Sequence, residues 1–319
     1  MKLRFCILFV SILIHSFSFS QNKKTPFTFI VLGDMPYNLP KDNLKFENVI
    51  AALNKRNQAF NVFVGDFKSS KTPCSDTAFQ KILGYFNSFK KPLIYTPGDN
   101  EWTDCGKPQA GSYTTNERLS AIRAQFFKDT LHSLGKSTME LSSESSNVAY
   151  AKYVENKMWK YNGISFATIH LVGSNNNFNT DNLNSNEEFY ERSNADIFWL
   201  NTVFEQAKKD NSLGIVIFEH ADMITPDKGK EGFVTFLKEL QKRVETYKKP
   251  VLLVNGDSHE YKVDKPLYEN VELKKTVLNF TRLQVFGEAD MHAVEVTVNP
   301  KNPALFEINQ IWIPEINKF

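Results

Sequence analysis

The feature that most constrains this chain is a repeated strand ending. Four apolar, strand-like stretches each stop at a turn carrying an acid: FTFIVLGD (27–34), NVFVGD (61–66), PLIYTPGDN (92–100) and PVLLVNGDSHEY (250–261). A fifth, LGIVIFEH (213–220), stops at Glu219-His220. Helix-like segments lie between them. Residues 41–57 place Leu44, Phe46, Val49, Ile50 and Leu53 at helical spacing, and Ser75 or Asp76 is placed to cap a helix reaching about Phe86. Further helices are expected over 115–133, 187–210 and 230–247. Strands alternating with helices of this length predict βαβ units and a mostly parallel sheet, an α/β fold.

In open α/β sheets, ligand sites gather beyond the carboxyl ends of the strands. Asp34, Asp66, Asp99, Asp257 and His259, with His220 as a further candidate, are therefore expected on one rim. One Gly-Asp is an ordinary turn dipeptide, but four copies that each close a buried strand are not explained that way. The glycine lets the backbone turn tightly and bring the acid close to a shared centre. Carboxylates gathered in one place cannot all remain ionised without compensation. A divalent cation compensates them, so the pattern predicts a metal site.

The rest of the chain reads as one domain. A Ser-rich loop covers 136–147, strands with a turn at Asn162-Gly163 cover 148–172, and SNNNFNTDNLNSN (174–186) reads as a solvated connection in which Asn175 and Asn176 can face a site. From about 276 to 313 successive antiparallel strands are expected. No internal repeat or linker-like composition divides residues 21–319, and 41% hydrophobic residues with 27 Phe can build a large core.

Residues 1–20 differ: Lys2 and Arg4 precede an apolar run from Phe5 to Ile14, then Ser16, Ser18 and Ser20. This is the layout of a secretory signal peptide, and the run is too short to span a bilayer. The expected location is secreted or periplasmic, without stable membrane association once the segment is removed. Removal takes two basic residues and no acidic one, which leaves 36 of each sign. A formal charge of zero offers no electrostatic footprint for nucleic acid. Cys74 and Cys105 then remain, and two cysteines in an exported protein read as one disulfide tying two rim loops.

The five strand endings, in order, are GDMPY (33–37), GDF (65–67), GDNEW (98–102), FEHAD (218–222) and GDSHEY (256–261). In that order they resemble the blocks of the calcineurin-like metallophosphoesterases: GDxH, GD, GNH(D/E), a His-bearing strand end and GHxH. The resemblance spans residues 27–261 and implies a four-layer α/β/β/α sandwich of mixed sheets, with the metal site at the carboxyl ends of the strands. It implies two divalent metals that activate water to hydrolyse a small phosphate mono- or diester. Asp34 and His259 would hold the first metal and Asp66 would bridge. Asp99 and either His220 or Glu219 would serve the second, and Asp257 would replace a histidine. Glu101 keeps the family's acidic position. Pro36 and Asn100 stand where the family has histidines, so Asn100 can contact the phosphate but cannot transfer a proton. The mostly oxygen donor set favours manganese or magnesium, with zinc or iron as alternatives.

Lys68 can approach the same rim and contact a phosphate, but as a loop lysine it is expected in solvent. His170 reads as an interior histidine, His132 as structural, and His292 as a minor candidate. Trp102 either walls the pocket or packs. Arg118, Arg123 and Arg192 can reach an anionic substrate, but as helix arginines they are expected in solvent. The competing reading of function, motivated by Pro36 and Asn100, is a non-catalytic metal- or ligand-binding module on the same fold. A transferase or nuclease on this scaffold is a third.

Overall fold

The computed structural model of the protein describes residues 25–224, 230–270 and 272–314; the expected signal peptide, 1–20, lies outside the described residues. In chain order the strands are β1 (Phe27–Leu32), β2 (Asn61–Val64), β3 (Leu93–Thr96), β4 (Ser142–Ser143), β5 (Lys157–Tyr161), β6 (Ile164–Thr168), β7 (Ile215–Phe218), β8 (Val251–Asn255), β9 (Lys262–Asp264), β10 (Tyr268–Asn270), β11 (Lys275–Thr276), β12 (Phe280–Gln284), β13 (Ala293–Val298) and β14 (Phe306–Ile311). One sheet has the order β14-β13-β1-β2-β3 and the other β4-β5-β6-β7-β8-β12-β9, while β10 and β11 form a small ribbon. Both large sheets are mixed. β1, β2 and β3 run parallel in the first, and β6, β7, β8 and β12 in the second.

The layers follow from the two-residue period of strand side chains. Phe29 and Val31 of β1 meet Val216 and Phe218 of β7 and Leu252 and Val254 of β8 between the sheets. The alternate residues Ile30 and Leu32 turn outward, onto Phe46, Val49, Ile50 and Leu53 of the helix Asn43–Leu53. On the far side, Ile215, Ile217 and Leu253 pack against Trp199 and Val203 of the helix Glu187–Lys209 and Leu240 and Val244 of the helix Val234–Tyr247. Strands buried on both faces read as continuous apolar runs, and two such sheets between helices give the expected α/β/β/α sandwich.

Several boundaries differ from expectation. Leu44 is 58% exposed, because the buried stripe of its helix runs through Phe46, Val49, Ile50 and Leu53. The third helix stops at Phe126, not near 133. Beyond it, Leu134 exchanges backbone hydrogen bonds with Leu93 (2.8 and 2.9 Å), which extends the edge of β3. Residues 148–150 form a 3-10 turn, so within 148–172 strand structure begins only at Lys157. β13 and β14 are antiparallel as expected, but β12 inserts between β8 and β9 and runs parallel to β8. Its sequence, FTRLQ, carries no sign of direction; the connection through the β10–β11 ribbon sets it.

A buried acid pair near β5 makes stability depend on pH. Asn156 Nδ2 donates to Glu144 (2.8 Å) and to Asp196 (3.0 Å). Burial pushes the Glu144 carboxyl up to about 9 and the Asp196 carboxyl up to about 7. Unfolded, each would titrate near pH 4. The folded chain therefore binds more protons from about pH 4 up to those values, and stability falls as pH rises across that window. Urea midpoints measured from pH 5 to pH 9 are expected to decline, and Glu144→Gln to flatten the decline. An unchanged slope in Glu144→Gln would refute this assignment.

Candidate metal centre

The ends of β1, β2, β3, β7 and β8 bring Asp34, Asp66, Asp99, His220, Asp257 and His259 to one rim. The sharp turns are made by the functional residues themselves: φ is 54° at Asp34, 57° at Asp66, 73° at Asp257 and 58° at His259. Side chains seldom occupy this left-handed region, and such backbone clusters at functional sites. The neighbouring glycines mainly serve close approach. A Cβ at Gly256 would lie 2.3 Å from Asp34 Oδ2, and one at Gly65 would lie 2.5 Å from His220 Nδ1.

His220 is the hub. Its Nδ1–H donates to the Val64 carbonyl (2.8 Å), which turns Nε2 towards the acids. From Nε2 it is 3.1 Å to Asp99 Oδ1, 3.4 Å to Asp66 Oδ1 and 3.9 Å to Asp257 Oδ1. Asp34, Asp66 and His220 place ligand atoms within 4.8 Å of one another, and so do Asp99, His220 and Asp257. Asp34 Oδ1 accepts from the Asp257 backbone N–H (3.0 Å), while its buried Oδ2 has no hydrogen-bond partner.

The electrostatics describe a cluster waiting for charge compensation. Burial raises the Asp34, Asp66 and Asp257 carboxyls, and His220 only partly offsets it. Burial also acts to raise Asp99, but hydrogen bonds from His220 and Ser174 outweigh it and hold Asp99 below the usual range. Burial opposes charge on His220, yet the surrounding carboxylates, Asp66 first, hold its pKa well up. An orphaned buried oxygen, an imidazole fixed through its other nitrogen and four carboxylates fit a divalent cation, which would replace the protons that the cluster otherwise retains.

No protein-family model matches the chain, and no curated protein matches its sequence. Among solved structures it is similar to a dimetal phosphatase from Danio rerio, with TM-score 0.53 and 11% identity over 90% of this chain and 99% of that one. It is also similar to GAP50, the anchor in the inner membrane complex of Plasmodium, with TM-score 0.51 and 13% identity over 92% and 91%. The chain has the calcineurin-like metallophosphoesterase fold. One fold can host unrelated roles, and the remaining residues of this metallophosphoesterase-fold site differ in what they contribute.

His220, not Glu219, faces the acids; both Glu219 carboxylate oxygens are buried without a hydrogen-bond partner. His259 Nδ1 lies 3.2 Å from Glu288 Oε2, and its side chain is 26% exposed. Asn100 is not open to a phosphate as expected. Its two amide hydrogens go to Asp66 Oδ2 and to the Tyr37 hydroxyl, and its backbone N–H goes to Asp66 Oδ1 (3.0 Å). Glu101 works as a clamp. It accepts from the backbone N–H groups of Phe67 (2.9 Å) and Gly98 (3.1 Å), which ties the second block to the third. Lys68, expected in solvent, is fully buried and donates to the Ser69 carbonyl (3.1 Å). Burial lowers its pKa against the pull of Glu101 and Asp66.

Three side chains were missed in the sequence: Tyr37, Ser174 and Arg192. The Tyr37 hydroxyl sits inside the site, donating to Asp66 Oδ2 at 2.5 Å. The Asn-rich segment is not merely solvated. Ser174, Asn175, Asn176 and Asn177 form a left-handed turn (φ 51° to 61°), and Ser174 Oγ donates to Asp99 Oδ2 (2.7 Å). Arg192, expected in solvent, is fully buried and holds that turn through Asn176. Arg118 is likewise buried, donating to the Cys74 carbonyl and Asp76. Trp102 packs in the interior beside His170, which pairs with Glu155 at 2.8 Å. His292 stacks edge-on with Trp312 away from the acids, at 4.6 Å between centroids.

Cys74 and Cys105 form a disulfide with Cα atoms 5.8 Å apart, closing a span of 31 residues around the third block. A loop of that length is worth ~3.5 kcal/mol by chain entropy. The Cys74→Ala/Cys105→Ala chain is expected to lose stability of that order in urea denaturation. A loss under ~1 kcal/mol would show that the rim loops are held without the bridge.

Proposed function

We propose that the protein is an exported, metal-dependent phosphoesterase hydrolysing phosphate mono- or diesters at the His220-centred site. One observation carries the reading: five strand ends gather Asp34, Asp66, Asp99, Asp257 and His220 Nε2 in one pocket, on a fold shared with a dimetal phosphatase. A divalent cation held by these residues would polarise a phosphoryl oxygen and lower the pKa of water. The oxygen-rich donor set favours magnesium or manganese, while the imidazole also suits zinc or iron.

The chain's own residues orient the reaction. Val64 fixes the His220 ring, and Asn100 and Tyr37 fix Asp66. Asn100 cannot carry a proton to the leaving oxygen, because a side-chain amide does not titrate. His259, partly open to solvent and 3.2 Å from Glu288 Oε2, is the titratable side chain positioned at the mouth of the site for that role. Export is supported by the 1–20 segment and by the disulfide, which suits an oxidising compartment. Among the described residues, no helix is long and apolar enough to cross a membrane. A neutral mature charge favours a small ester over nucleic acid.

The test is turnover of a panel of mono- and diesters with magnesium, manganese or zinc, before and after chelation. Hydrolysis that vanishes with chelator and returns with cation is expected. A cation-loaded protein that turns over none of the esters would sink the enzyme reading and leave the second one, a non-catalytic cation-binding module. That alternative draws on Asn100, whose amide hydrogens are both engaged inside the site.

A further inference from the structure

We infer that the site takes a single cation, and that the Tyr37 hydroxyl fills the neighbouring position where a second would have to sit. The inference rests on the cation site proposed above and specifies its stoichiometry. The two donor groups on the rim, Asp34-Asp66-His220 and Asp99-His220-Asp257, share one imidazole. Its other nitrogen is spent on Val64, and the one remaining lone pair binds one cation.

A second cation would need donors on the other side of Asp66: Asp66 Oδ2, Asp34 Oδ1 and His259 Nε2. His259 Nε2 lies 3.6 Å from Asp34 Oδ1, but the Tyr37 hydroxyl comes first. It is 2.8 Å from His259 Nε2, 2.5 Å from Asp66 Oδ2 and 2.9 Å from Asn100 Nδ2. The ring is buried edge-on against His259, with centroids 4.7 Å apart.

The hydrogens at this crossing can be counted. The phenol hydrogen points to Asp66 Oδ2. The two lone pairs of the phenol oxygen then accept from Asn100 Nδ2 and from His259 Nε2–H. The phenol oxygen, 2.8 Å from His259 Nε2, thereby occupies the approach a metal would need to that nitrogen. One neutral hydroxyl satisfies the atoms that a second cation would otherwise satisfy. The first block supplies no imidazole to compete with it, since Pro36 precedes the tyrosine.

The deciding measurement is manganese stoichiometry on the full mature chain, stripped of metal and titrated by calorimetry, with electron paramagnetic resonance at saturation. One Mn²⁺ per chain, with the hyperfine sextet of an isolated ion, is expected. Tyr37→Ala opens both the space and the donors, so it is expected to bind a second equivalent and show the broadened spectrum of a coupled pair. Two equivalents on the wild-type chain would overturn the single-cation inference while leaving the cation site intact. None at all would overturn both. A folded Tyr37→Ala chain that still binds one would remove Tyr37 from the account; if that variant does not fold, the wild-type stoichiometry and spectrum decide.

Discussion

Replacing His220 by alanine is expected to lower the affinity for manganese or magnesium by at least ~10²-fold and to take ester hydrolysis down with it. The imidazole is the one atom set that faces Asp66, Asp99 and Asp257 together, at 3.1 to 3.9 Å. Its loss removes the nitrogen donor and also the group that offsets the acids when no cation is present. Altering a hydrogen-bonding partner of a metal ligand already costs 10–100-fold in affinity, so removing a donor itself should cost no less. The affinity change is read by calorimetry and the activity by the ester panel, with circular dichroism confirming that the fold survives. A His220→Ala chain that binds cation as tightly as wild type would place the centre elsewhere.

The second large effect is expected far from the acids. Arg192→Met should destabilise the chain by ~3–5 kcal/mol, the usual cost of removing one partner from a buried ionic network. Arg192 is fully buried on the helix Glu187–Lys209. It donates to Glu188 Oε1 (2.7 Å), to the His170 carbonyl (2.9 Å), to Asn176 Oδ1 (2.6 Å) and to the Asn176 carbonyl (2.8 Å), and it lies 3.5 Å from Asp196. Methionine fills most of the volume but leaves Glu188 Oε1 and the His170 and Asn176 carbonyls without their donor. The turn Ser174–Asn177 then keeps Gly232 but loses its charged anchor. Ser174, at φ 51°, is disfavoured by ~1–2 kcal/mol in the left-handed region, so the turn is expected to relax and to withdraw Ser174 from Asp99. Two readouts follow: a lower urea midpoint, and a cation affinity reduced by ~10-fold or more through Asp99. A destabilised chain with unchanged affinity would show that Ser174 does not support Asp99.

Much of this was legible, for local reasons. Each of Asp34, Asp66, Asp99, His220 and Asp257 ends a buried strand, and a strand's burial and its final turn are written within a few residues. What stayed hidden were residues whose importance depends on distant neighbours. In GDMPY the eye falls on Pro36 as a missing histidine. Tyr37 matters only because Asp66, Asn100 and His259 surround its hydroxyl. Arg192 was readable in part, since it shares a helical stripe with Phe189, Ala195 and Trp199; an arginine on that face implies a buried partner. Lys68 gave no such sign, because no periodicity governs the loop around it. The parallel direction of β12 was equally invisible, as a short buried strand reads the same either way.

The order of strand endings, the α/β plan and the presence of an acidic rim thus follow from the sequence. Burial pattern, turn chemistry and chain order act over short distances along the chain. The tertiary structure alone decided how the acids are partnered. Asn100 meets Tyr37 across 63 residues and Ser174 meets Asp99 across 75. Such hydrogen bonds depend on where loops from separate strands come to rest, and no local pattern encodes that. The acidic rim is a property of the sequence, and which of its atoms remain free to hold a cation is a property of the fold.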